Sequence, residues 1–145
     1  MATFSELRQW CSSNRTLAVT SGSDAVFFVS FRSTGEHPTA VVARMKLSGV
    51  DCVSIRVPLF FSAPVDIPSH LAALYEVSLS GDDHNSPWAA PYGLSLAGGP
   101  SVPGMSMNTS LPLAELPHSQ FDFALSQILR SSYALYRTLG IDPNR

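Results

Sequence analysis

A chain of 145 residues with 45% hydrophobic and only 14% charged residues holds enough apolar material for one domain with its own core, without disulfides or a structural metal. Its net charge of -2 includes nine Lys and Arg residues that are scattered singly, which excludes a basic surface tracking a phosphate backbone and so excludes nucleic acid as an expected partner. The start, MATFSELRQW, lacks the charged and apolar regions of a signal peptide, and no stretch approaches the roughly 18 apolar residues of a membrane span, so a cytoplasmic protein with no membrane partner is expected.

Thr3 followed by Glu6 has capping-box spacing, and Phe4, Leu7, Trp10 and Cys11 recur at helical offsets, which predicts an amphipathic helix over 4–13 stopped by Asn14. Runs rich in β-branched and aromatic residues then predict strands at 16–20, 25–33, 39–47 and 51–57. The links SGSD, STGEHP and SGVD between them are short and turn-forming, so neighbouring strands should be antiparallel. Alternation is imperfect along 41–47. It is clean at 53–57, where Val53, Ile55 and Val57 oppose Ser54 and Arg56.

Pro58, Pro64 and Pro68 predict that the strand ends before an extended connector over 59–68. Ile67, Leu71, Leu74, Tyr75 and Leu79 form one stripe, predicting a helix over 68–79, followed by a Gly- and Pro-rich loop across 81–104. Within and after that loop, 93–97 and 105–111 alternate apolar with small polar residues and predict a late hairpin. A stripe from Phe121 through Leu125, Ile128, Leu129, Ser132, Leu135 and Tyr136 to Leu139 predicts a long closing helix, capped by Gly140 and with Pro143 beyond. The expected architecture is a single α+β domain, an antiparallel sheet flanked by helices in the order α, three or four β, α, β, β, α.

Chemistry-bearing motifs are sparse. His37, His70, His84 and His118 have no ligand-spaced partner, and Cys11 and Cys52 sit in no CxxC pattern, so neither metal nor cofactor is expected. There is no GxSxG, GxGxxG or GxxxxGK[ST], and Asp51, Asp66, Glu76 and Glu115 are isolated charges, so a non-enzymatic protein is expected. What remains is apolar: Phe27, Phe28 and Phe31 on one strand, Phe60 and Phe61 after Pro58, Trp88 and Tyr92 in the long loop, and Met105 and Met107 on a late strand. Phe28 falls on the face opposite Phe27 and Phe31, which predicts a sheet covered on both faces, the second cover being a subunit or a peptide. The low charge fraction points the same way, toward a homodimer, with the closing helix as its contact.

The order of elements resembles the type III secretion chaperone-like superfamily, which includes the class I secretion chaperones and the YbjN family. Within it, MSMNTSLPLAELPHSQFDFALSQILRSSYALYRTL looks like the family's last strand, its turn and its closing helix, and 51–79 looks like its strand, Pro-containing link and helix. The four candidate strands before the second helix exceed the family's three. The resemblance implies a dimerising fold without a catalytic centre that holds extended or partly folded segments of another protein. Burial logic then selects Phe27, Phe31, Phe60, Phe61 and Met107 as partner-binding candidates. Two other readings stand beside it: an immunity or regulatory protein recognising a folded toxin or effector, and a small-molecule-binding or hydrolytic domain whose 81–104 loop covers Asp82, His84 and Trp88.

Overall fold

The computed structural model describes residues 3–34, 38–60, 93–99 and 102–138. Helix α1, Phe4–Ser13, begins with the capping box foreseen in the sequence: the Glu6 N–H donates to Thr3 Oγ1 at 3.2 Å, and the Thr3 N–H donates to Glu6 Oε2 at 3.0 Å. It buries Phe4, Leu7 and Cys11 and ends at extended Asn14, whose Oδ1 accepts from the Thr16 N–H and hydroxyl and so turns the chain into the sheet.

Among the described residues the sheet has six strands, all antiparallel: β1 Leu17–Ser23, β2 Val26–Phe31, β3 Ala40–Leu47, β4 Val50–Phe60, β5 Gly93–Gly99 and β6 Val102–Pro112. Their spatial order is β1-β2-β3-β4-β6-β5, so the late hairpin inserts β6 beside β4 and leaves β5 at the edge. Helix α2, His118–Thr138, closes the described chain. The architecture is thus α+β, with four strands before residue 61. The helix expected at 68–79, the connector beyond Phe60 and the loop as far as residue 92 lie outside the described residues.

Both helices pack on one sheet face. Phe4, Leu7 and Cys11 from α1, and Phe121, Leu125, Ile128 and Leu129 from α2, share a core with Phe27, Val29, Val42, Val53, Ile55 and Val57 from the strands. A fully buried side chain of this size contributes about 1.5–3 kcal/mol, so this face supplies the main stabilisation. Phe4 and Phe27 meet at 5.3 Å between ring centroids, and Trp10 meets Phe121 edge-on at 6.0 Å. The Arg8 guanidinium lies against the Phe4 and Phe27 rings and donates to the Ser23 and Val26 carbonyls, tying α1 to the β1–β2 turn.

The strand boundaries correct the sequence reading in three places. The SGS of the expected first link belongs to β1, which is irregular between Ser21 and Ser23; the turn is Asp24–Ala25. A Cβ at Gly22 would come within 3.0 Å of the Phe28 ring and 3.2 Å of the Val26 carbonyl oxygen, so close approach explains this glycine. After Phe31 the chain leaves the sheet through a 3-10 turn, Arg32–Thr34, instead of extending to residue 33.

The third correction concerns proline. Strand β4 continues through Pro58 to Phe60, and β6 contains Pro103 and Pro112. The Leu113 N–H donates to the Asp51 carbonyl at 2.9 Å, so across β4 and β6 odd-numbered residues turn their backbone groups toward each other and even-numbered ones turn away. Pro58 therefore directs its missing N–H toward β3, beyond the last pair, Val41 with Arg56. Pro112 directs its own toward β5, beyond Asn108 with Gly93, and Pro103 toward β4, beyond Gly104 with Phe60. Pro58 thus occupies a ladder position just beyond the start of β3, so no bond to that strand is lost there.

Candidate functional site

The imperfect alternation of β3 resolves into two faces with different histories. Ala40 and Val42 face the helices and are buried, but Arg44 and Lys46 continue that face and are exposed. The opposite face reads Val41, Ala43, Met45 and Leu47, apolar at every position. Register places Phe28 beside Val41, Val26 beside Ala43, Cys52 beside Met45 and Val50 beside Leu47. Toward the β3–β4 turn this row opens to solvent: Met45, Leu47 and Val50 are 36%, 43% and 47% exposed. An apolar row on the face opposite both described helices is the feature expected of a surface that another chain covers.

The sequence candidates distribute unevenly around this surface. Phe27 is on the helix-facing side, fully buried between Phe4 and the rest of the core, so its ring is a packing element in this state. Phe31 shares that side and is half-buried at the margin of the core. Phe60 ends β4 opposite Gly104, and Met107 pairs with Val57 and Leu94. Phe61, Asp82, His84, Trp88 and Tyr92 lie outside the described residues. Sequence reasoning missed Met45, Leu47 and Val50, although the odd-numbered run from 41 to 47 was a readable signal.

A second feature is polar. Between the start of β1, the end of β2 and α2 lies a cleft of about 560 Å³ lined by Asn14, Thr16, Phe31, Asp122, Arg130 and Tyr133, among others. Ser126 donates from its hydroxyl to Asp122 Oδ1 at 3.4 Å. Behind it the Cys11 thiol is pushed up to about 12, first by burial and then by the Asp122 carboxylate, so it stays protonated and unreactive at neutral pH. Among the described residues no group of three or more His, Cys, Asp or Glu side chains could hold a metal ion, and no helix is long and apolar enough to cross a membrane.

These features define an α+β protein built on one antiparallel sheet with helices from both ends of the described chain on the same face. A solved structure with this arrangement is YbjN of E. coli, described as a candidate transcription regulator. It superposes with a TM-score of 0.55 and 13% identity over 94% of this chain and 90% of that one. At that identity the likeness is one of fold. No family model matches the chain, and no curated protein does.

Proposed function

We propose that the protein is a non-catalytic, cytoplasmic binding module whose sheet face opposite the two described helices receives an extended or partly folded segment of another protein. The resemblance to the type III secretion chaperone-like superfamily implies partner binding of this general kind, and the likeness to YbjN supports the fold alone. The observation that carries the reading is the apolar row of β3 opposite the described helices, ending in exposed Met45 and Leu47. A segment laid along it would fill the spaces between alternate side chains, while the charged pair Arg44–Asp51, 3.6 Å apart, stands on the opposite, helix-facing side of the same two strands.

The test is quantitative capture from the native host with tagged wild-type protein and with Met45→Glu/Leu47→Glu. Both residues are surface-exposed, so the variant should keep its circular dichroism spectrum and melt within about 1 kcal/mol of wild type. A stoichiometric partner that the wild type retains and the variant loses supports the proposal. Equal retention, or no stoichiometric partner for either protein, overturns it.

A further inference from the structure

The polar cleft carries a separate inference. Asp122, Ser126, Arg130 and Tyr133 fall within about 80° of arc on α2, so one side of the helix forms its wall. The opposite wall comes from the half-buried Phe31 at the end of β2 and from Asn14 and Thr16, which lead into β1. Among the described residues neither Asp122 nor Arg130 takes part in an ion pair; the pair found is Arg44 with Asp51, which lines a different cleft. In a chain this poor in charge, one cleft therefore presents an unneutralised carboxylate and an unneutralised guanidinium. Their Cα atoms are eight residues apart on a straight helix, about 12 Å.

We propose that this cleft binds a short extended peptide segment with a cationic group at Asp122 and an anionic group at Arg130. An extended chain covers about 3.3 Å per residue, so the two groups belong three to four residues apart, with the intervening backbone between Ser126 on α2 and Phe31 on the opposite wall. The volume suits this length, and the guanidinium fork suits a carboxylate. Either the two termini of a free tetrapeptide or a basic and an acidic side chain within a longer partner supplies this chemistry.

The test titrates tetra-alanine with free termini, the same peptide acetylated and amidated, and a blocked Lys-Ala-Ala-Glu peptide, following backbone amide shifts of Thr16, Phe31 and Arg130 by NMR. Saturable binding of the free tetrapeptide alone assigns the site to chain termini, whereas binding of the blocked charged peptide assigns it to side chains within a partner. In either case Asp122→Asn and Arg130→Gln should each weaken binding roughly tenfold, the worth of one charged hydrogen bond, while Lys46→Gln does not. Equal response to the charged and the blocked neutral peptide, or no saturation at about 10 mM, overturns the proposal. Met45→Glu/Leu47→Glu should bind the peptides as wild type does, so this result and the test of the apolar face fail or succeed independently.

Discussion

Two residues show how side chains hold this fold by burial and by charge placement. Cys11 is fully buried on α1 beside the core, and its thiol is raised from 9.0 to about 12, first by desolvation and then by Asp122. The folded state therefore holds its proton more tightly than the unfolded chain. The stability tied to this group is complete below pH 9.0 and is lost as pH rises through the interval to about 12. Denaturant melts of the wild type should lose up to about 1.4 kcal/mol per pH unit in that interval. Cys11→Ala should flatten the slope while lowering stability at pH 7, and an unchanged alkaline slope would assign the loss to other groups. Arg8 works by geometry, with one guanidinium touching two rings and two carbonyls of the β1–β2 turn. Arg8→Ala should cost about 2 kcal/mol, read as a shift in the urea midpoint, and Arg8→Lys should recover only part of it because an ammonium lacks the planar fork.

At the scale of elements, the β3–β4 turn and the prolines give opposite predictions. Ser48 and Gly49 have φ of 50° and 81°, the two left-handed residues of a type I′ hairpin turn between paired Leu47 and Val50. Nothing lies within 4 Å of a Cβ placed on Gly49, so Gly49→Ala isolates the backbone cost and should destabilise by about 1–2 kcal/mol. Pro58→Ala should cost less than about 1 kcal/mol, because the N–H it restores points where β3 has ended; a larger loss would mean the ring itself packs against a neighbour. The same elements show what the sequence made legible. The first helix, four early strands, late hairpin and closing helix follow from capping and periodicity, because those depend on neighbours a few residues apart. The continuation through Pro58 does not, because it depends on where a different strand stops. The strand character of Gly22 likewise depends on the approach of Phe28 across the sheet. The cleft was hidden for a related reason: Asn14 and Arg130 are distant in sequence and meet through the packing of α2 on the β1 side.

At the scale of the whole molecule, the question is where a chain with 14% charged residues places the apolar surface its core does not absorb. The inner face of the sheet is packed by the two described helices, and the outer face carries the β3 row proposed above to receive a partner segment. Among the described residues, one large exposed side chain belongs to neither. Phe123 on α2 is 55% exposed, between core residues Phe121 and Ala124 but on the side of the helix turned away from the sheet. A phenyl ring held open to water at a rigid helical position is favourable to cover, and a second copy approaching about a two-fold axis would cover two such rings with each other. This extends the expectation of a homodimer through the closing helix to a specific contact. Sedimentation velocity from about 1 to 100 μM should show a concentration-dependent shift from monomer to dimer, accompanied by a rise in Tm, because association stabilises the folded chain by mass action. Phe123→Ser should abolish both changes without lowering the Tm measured at the dilute end, since the ring contributes little to the monomer core. A dimer that persists in Phe123→Ser would place the contact elsewhere, and Met45→Glu/Leu47→Glu in the same assay would then show whether two copies meet through the outer sheet face.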